Sequence, residues 1–310
     1  MNNLQSFNQT KLFGLNKFIN ELIRLDKKGI LPNKILLSGQ KGIGKATLAY
    51  HFINYALSKN ENNEYNLKTY EINPENHSFK TILNKSNPNF NLIDVHIEKK
   101  NIDINQIREL IINLNKSSFN NKPRFVLIDN IEFLNINSIN ALLKILEEPS
   151  SQTHFILINN NKRTLPTLLS RCVNYKIFLS NNEKNFVSEK LLSNKLKDII
   201  NHDLISYYTS PGSIYYLSKF AEDNSIDLRN IDLKNFINLL LNKKFYKKDK
   251  IVKFLVFDLI ELYFNKINSS ISDKINKEYS YFLKKISNTK KFNLDEETLF
   301  LEFEENILNG

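Results

Sequence analysis

Residues 34–58 read KILLSGQKGIGKATLAYHFINYALS, and this stretch decides the fold. The apolar run at 35–37 predicts a buried strand, and the longer segment at 45–58 predicts a helix. A glycine-rich loop lies between them, in the place where strand–loop–helix units bind phosphate. The stretch therefore predicts an α/β fold that carries a phosphate-binding loop.

The loop fits the spacing G-x-x-x-x-G-K through Gly39, Gly44 and Lys45, and Gly42 lies inside it. Glycines let backbone N–H groups curl around a phosphate, and the lysine supplies a point charge. A lone match of this kind also fits a glycine-rich turn that binds nothing. The strand and helix on either side favour the phosphate loop.

Two positions depart from the pattern of phosphate-hydrolysing proteins. Ala46 stands where a hydroxyl side chain would ligate magnesium. Thr47 comes one residue later, turned by about 100° around the helix axis. A second buried run ends in Asp129, which is suited to hold a hydrated metal or is a simple strand-ending aspartate. The next residue, Asn130, cannot accept a proton from an attacking water, and we expect Glu132 to point elsewhere.

The first two thirds of the chain alternates apolar runs with amphipathic segments. Asp103 and Gln106 are spaced to cap one of the helices. Alternation of this kind predicts crossover connections and a mostly parallel, three-layer sheet. The further strands are predicted at 92–97, 125–128, 155–158 and 173–178, with helices at 103–116 and 137–148.

From about residue 181 onward the sequence predicts helices only. These are expected at 185–194, 211–221, 233–241, 251–267 and 271–286. A polar stretch at 221–230 separates a small helical unit from a C-terminal bundle. We therefore expect domains at 1–179, 180–223 and 224–310. The Asn-rich segment 60–91 predicts a long loop with little structure of its own.

Lysine and arginine total 43 against 33 acidic residues, a formal charge of +10. This charge favours a nucleic-acid partner, but it also fits the Asn-, Lys- and Ile-rich composition of an AT-rich coding sequence. The run LNKKFYKKDK at 241–250 is likewise either a DNA contact or a solvated loop. The chain shows no secretion signal and no apolar run of roughly 20 residues, so we expect a cytoplasmic protein without a membrane span.

The segment TLLSRCVNYKI places Ser170, Arg171 and Cys172 just before the last predicted strand. An arginine at the edge of such a domain can reach a phosphate bound by an adjacent subunit, although a plain surface arginine fits too. Cys172 is the single cysteine, which excludes an internal disulfide and zinc sites built from paired cysteines. We interpret it as a small buried hydrophobe.

Several segments together resemble the delta-prime subunit of bacterial DNA polymerase III, over most of the first 220 residues. They are LLSGQKGIGKATLAYHF, FVLIDNIEFLNINSINALLKILEEPSSQTHFILINNN, LPTLLSRC and TSPGSIYYL. The pair NALLKILEEP and SRC is the most specific part. The resemblance implies a P-loop domain of the AAA+ superfamily, followed by a small helical lid and an all-α collar for oligomerisation.

The family implies a five-subunit clamp loader with motor (gamma or tau) and delta subunits, which places a sliding clamp on primed DNA. Arg171 is then implied to complete the ATP site of a neighbouring motor subunit. Where motor subunits carry a nucleotide-sensing arginine in the lid, this chain has Ser213. The family's four-cysteine zinc module is also missing.

We expect weak binding of ATP or ADP and no required cofactor, because Ala46, Asn130 and Ser213 each depart from the family's pattern. We expect no zinc, because the cysteines of the zinc module are missing. Two other functions remain open. One is an active ATPase motor resembling gamma, tau or a helicase loader, and the other is a basic DNA-binding module.

Overall fold

The computed structural model describes residues 4–95, 101–116, 120–147, 152–160, 166–205, 209–248, 250–267, 273–292 and 294–308. Its contacts divide the chain into two compact units, residues 1–193 with 210–215, and residues 194–209 with 216–310. The expected division into three domains, at 1–179, 180–223 and 224–310, differs from these units and stays a prediction.

The first unit is built on a parallel sheet with the strand order β2-β3-β4-β1-β5 in the described part of the chain. The strands are β1 (Lys34–Ser38), β2 (Phe90–Ile93), β3 (Arg124–Ile128), β4 (Thr153–Asn159) and β5 (Val173–Lys176). All five lie where the sequence predicts strands, with shifted ends. The strand predicted at 92–97 ends at Ile93, and residues 96 and 97 lie outside the described residues.

Helices connect the strands of the first unit and make up most of the second. In chain order they begin with α1 (Asn16–Lys27), α2 (Lys45–Leu57), α3 (His77–Leu83), α4 (Ile104–Leu114), α5 (Ile136–Glu147), α6 (Pro166–Leu169) and α7 (Asn181–Leu192). They continue with α8 (Pro211–Asp223), α9 (Leu233–Asn242), α10 (Phe245–Lys248), α11 (Lys250–Ile267), α12 (Asp273–Phe292) and α13 (Glu296–Phe303). Short 3-10 turns lie at Ile131–Phe133, Leu196–Asp198 and His202–Leu204, and a π turn at Glu304–Leu308.

The sheet has a hydrophobic core on each face, which explains its continuous apolar strands. In β1, Ile35 and Leu37 belong to the cluster that includes α1 and α2, whereas Leu36 belongs to the cluster that includes α4 and α5. All three side chains are fully buried. Each such side chain stabilises the fold by about 1.5–3 kcal/mol, so the three layers predicted from sequence are held by both faces of the sheet.

Residues 60–91 were expected to form a long loop, and the structure corrects that expectation. Helix α3 lies inside the segment, because the Asn76 side chain accepts a hydrogen bond from the Phe79 backbone N–H at 2.7 Å and so caps the helix. Glu61 accepts hydrogen bonds from the Ser78 backbone and hydroxyl and from Lys122 Nζ. Asn76, one of the asparagines that suggested a loop, is therefore a helix cap, and Glu61 crosslinks the segment.

The second unit has an aromatic core. Phe264 contacts the rings of Phe282 and Phe303, with ring centroids 5.7 and 5.6 Å away, and all three rings are buried. In the basic run at 241–250, Lys244 and Lys247 both bind the Glu297 carboxylate, at 3.1 and 2.6 Å. These ion pairs neutralise part of the charge that suggested a DNA contact.

In the part of the chain that the structure describes, no helix is both long and apolar enough to span a bilayer.

Candidate functional site

The phosphate loop leaves the carboxyl end of β1 and ends where α2 begins. Gly42 and Gly44 have φ values of +81° and +94°, a left-handed conformation that favours glycine. A Cβ atom at Gly39 would lie 2.3 Å from the backbone oxygen of Ile177, so close packing requires glycine there. The three loop glycines predicted from the motif are thus each required by the backbone geometry.

Lys45 starts α2 and folds back over the loop. Its Nζ atom donates to the backbone oxygens of Gly39 and Gln40, at 2.8 and 2.7 Å, and its side chain is buried. Burial lowers the pKa of the Lys45 ammonium to about 8, against the opposing attraction of Asp129 and Glu132. The lysine is therefore held, mostly charged at neutral pH, at the place where a phosphate would lie.

The start of α8 packs directly on this loop. The Gly212 backbone N–H donates to the Gly42 backbone oxygen at 2.9 Å. A Cβ atom added at Gly42 would lie 2.3 Å from Ser210 Oγ. A Cβ atom added at Gly212 would lie 3.0 Å from the Gly42 backbone. Ser213 stands where the resemblance places a sensing arginine, and its hydroxyl pairs with that of Ser210 at 2.8 Å. This position supplies no positive charge.

Asp129 follows β3 at the same edge of the sheet. Its Oδ1 atom accepts a hydrogen bond from the Asn130 backbone N–H at 2.8 Å. Burial, followed by the charge of Asp94, raises the pKa of Asp129 to about 7. Near neutral pH and without a bound cation, this carboxyl group is protonated in a large fraction of molecules, and a divalent cation would have to displace that proton to bind.

Asn130 is the centre of a polar network that the sequence did not reveal. It has a φ of +57°, and its Nδ2 donates to Asp94 Oδ1 at 2.8 Å. Its Oδ1 accepts a hydrogen bond from Asn160 Nδ2 at 2.9 Å. Asn160 Nδ2 also donates to Glu132 Oε1 at 3.0 Å. The expectation that Glu132 points elsewhere is wrong, because Asn160 draws it into this network.

Sequence reasoning missed Asp94 and Asn160. Both follow strands, β2 and β4, and carboxyl ends of parallel strands share one edge of a sheet. The polar residue after each apolar run was thus the available signal, but only the strand order shows that these residues meet around Asn130. Thr47 lies half-buried on α2, one residue past Ala46.

Arg171 lies in a separate place, before the amino end of β5. Its Nη2 atom forms an ion pair with Glu147 Oε1 at 2.7 Å, and its Nη1 atom donates to the Thr167 backbone oxygen at 2.9 Å. The arginine side chain is 33% exposed. The guanidinium group is therefore accessible from outside the chain while two contacts fix its orientation.

Arg171 and the phosphate loop lie at opposite ends of the parallel strands, Arg171 at the amino ends and the loop at the carboxyl ends. Strands β1 and β5 are parallel and paired from Ile35 with Val173 to Ser38 with Lys176. The loop follows Ser38, whereas Arg171 precedes Val173. At about 3.3 Å per residue, roughly 10 Å of strand separates the amino ends of β1 and β5 from their carboxyl ends. Arg171 thus lies away from the phosphate loop of its own chain.

Neighbouring Cys172 packs on the second hydrophobic cluster, and burial raises the pKa of its thiol to about 11. This agrees with its interpretation as a small hydrophobe. Among the described residues, no group of three or more His, Cys, Asp or Glu side chains is arranged to hold a metal ion.

The parallel sheet, the glycine-rich loop and the helices on both faces define a P-loop α/β protein, as predicted. A solved structure supports this fold, that of a gamma subunit-related protein of DNA polymerase III from Thermotoga maritima. It is 19% identical with a TM-score of 0.51, covering 93% of this chain and 97% of that one.

A family model described as "DNA polymerase III, delta subunit" matches residues 14–180, more than half of the chain. The chain belongs to this family. A delta-prime subunit from Buchnera aphidicola subsp. Baizongia pistaciae is 27% identical over 64% of this chain and 65% of its own length. A gamma subunit from Buchnera aphidicola subsp. Acyrthosiphon pisum is 30% identical over 88% of this chain and 76% of its own length. The match to the delta-prime relative thus spans just under two thirds of that relative.

Proposed function

We propose that this chain is the delta-prime subunit of a DNA polymerase III clamp loader. In this role it lends Arg171 to the ATP site of a neighbouring motor subunit and hydrolyses little or no ATP itself. The observation that carries the proposal is that Arg171 lies at the amino ends of the strands, whereas the chain's own phosphate loop lies at their carboxyl ends. An arginine in that position can stabilise the charge of a reacting phosphate only in another chain.

The chain's own phosphate site supports the second half of the proposal. The loop and Lys45 fit a phosphate, but Ala46 lacks the hydroxyl group that would ligate a magnesium ion beside that phosphate. Asn130 occupies the place of a general base and is already hydrogen-bonded to Asp94 and Asn160. Phosphoryl transfer depends on these groups acting together, so the loss of several leaves little activity.

The family match supports partners among the other clamp-loader subunits. The chain assembles with motor (gamma or tau) and delta subunits in a hetero-pentamer, which loads a sliding clamp onto primed DNA in the cytoplasm. It requires no cofactor and no zinc, and it binds ATP or ADP weakly. The support for zinc independence is the set of side-chain contacts from Glu61 to Ser78 and Lys122, which crosslink the segment standing in place of the zinc module.

A second candidate is an active motor subunit, favoured by the 30% identity to a gamma subunit. Turnover by the isolated chain separates the two functions. A delta-prime role predicts little or no ATP hydrolysis by the isolated chain. It also predicts weak nucleotide binding that depends little on magnesium. Tight magnesium-dependent binding, or steady hydrolysis by the chain alone, would favour the motor. Stimulation of an assembled loader by this chain, lost in Arg171→Ala, would favour delta-prime.

A further inference from the structure

Among the described residues, the Arg171 guanidinium group has two anchors of different kinds. Thr167, whose backbone oxygen accepts from Nη1, lies four residues earlier in the short helix α6 and so belongs to the arginine's own segment. Glu147, which accepts from Nη2, lies 24 residues earlier at the end of α5. Of these two anchors, Glu147 is the one that ties the guanidinium group to a different element of the fold.

The end of α5 is itself fixed. Leu146, the residue before Glu147, is fully buried in the cluster beneath the sheet. Its backbone oxygen accepts a hydrogen bond from Lys34 Nζ at 3.0 Å, which joins the end of the helix to the start of β1. A cation at this place also suits the negative end of the helix dipole. Glu147 is therefore presented from a rigid position.

We infer that Glu147 is a positioning residue for Arg171, holding the guanidinium group in the orientation from which it reaches a phosphate bound by the neighbouring subunit. This inference rests on the proposed function. A free arginine side chain samples many rotamers, and a group that must meet a developing charge works best when its orientation is set beforehand. Two of its five N–H donors are used by the anchors described here, and the rest of the fork can face a ligand.

A purely structural role for the pair would have a different signature. Glu147 is 55% exposed and Arg171 33% exposed, and ion pairs in such surroundings contribute little to stability. Removing Glu147 should therefore leave folding unchanged and alter the catalysis that depends on Arg171.

The test uses the loader reconstituted with motor and delta subunits, clamp and primed DNA. Glu147→Ala is expected to lower kcat for ATP hydrolysis by about three- to tenfold, with KM changed by less than about twofold, because a misplaced group loses transition-state contacts. Glu147→Gln is expected to keep about half of kcat or more, since its amide oxygen still accepts the N–H. Glu109→Ala, which removes an exposed carboxylate from α4, is the matched control.

Arg171→Ala separates the possible failures. If Arg171→Ala leaves hydrolysis unchanged, the proposed function itself is wrong. If Arg171→Ala lowers kcat while Glu147→Ala behaves like Glu109→Ala, only the positioning role is overturned. The positioning role is also overturned if Glu147→Gln is as damaging as Glu147→Ala, or if Glu147→Ala raises kcat. Unchanged melting curves for all variants confirm that folding is not the cause.

Discussion

His51 gives the sharpest prediction about the stability of the first unit. It lies on α2, fully buried, with Nδ1 3.0 Å from Tyr65 Oη and Nε2 3.1 Å from the Gln9 backbone oxygen. Burial lowers its pKa from 6.5 to about 4, although the bond to Gln9 opposes the shift. The folded protein therefore holds a neutral His51, whereas the unfolded chain takes up a proton as the pH falls below about 6.5.

This difference in protonation decides how the free energy of unfolding changes with pH. Stability from a neutral His51 is fully present above pH 6.5 and is lost as the pH falls toward 4. A difference of about 2.5 between folded and unfolded pKa corresponds to roughly 3 kcal/mol. In His51→Gln, which keeps a neutral hydrogen-bonding side chain, this loss is absent. The free energy of unfolding of the unchanged protein minus that of the variant should thus fall by roughly 3 kcal/mol between pH 7.5 and pH 4.

The assay is urea denaturation followed by circular dichroism, with hydrogen exchange of α2 peptides to identify the transition of the first unit. Other titrating groups cancel in the difference between the two proteins. Parallel stability curves for the two proteins across this pH range would contradict this prediction, because they would mean that His51 titrates alike in the folded and unfolded states.

Three further variants test other parts of the structure. Glu61→Ala removes three hydrogen bonds and should lower the free energy of unfolding by about 1–3 kcal/mol, seen as faster hydrogen exchange in α3. Gly42→Ala should lower the melting temperature more than Gly29→Ala does, since both have positive φ but only Gly42 would clash. Asn130→Glu should destabilise the chain by about 1 kcal/mol or more and still give no ATP hydrolysis in a turnover assay, because Ala46 remains.

Local sequence patterns predicted much of the fold. Apolar runs located each of the five strands in the described residues, and Asp103 and Gln106 form the capping box that their spacing predicted. Helix α1 was not predicted, although its buried residues, including Phe18 and Leu22, have helical spacing. Helix α3 was missed because it is short and its signals are polar.

The candidate site was predictable only in part. The phosphate loop is contiguous in sequence, so its residues could be named before its geometry was known. The network around Asn130 joins residues that follow three different strands, and its members meet only through the strand order. The pairing of Arg171 with Glu147 likewise depends on how α5 ends beside α6. Motifs predict such sites when one segment carries them and fail when several segments must converge.

A measurement of ATP hydrolysis by the loader reconstituted with motor and delta subunits, clamp and primed DNA decides whether Arg171 acts on a neighbouring subunit. It compares the unchanged chain with Arg171→Ala, and the isolated chain serves as control. We expect Arg171→Ala to assemble normally but to lower stimulated hydrolysis by about tenfold or more, with no turnover by the chain alone. Full hydrolysis in the Arg171→Ala loader, or robust turnover by the isolated chain, would contradict it.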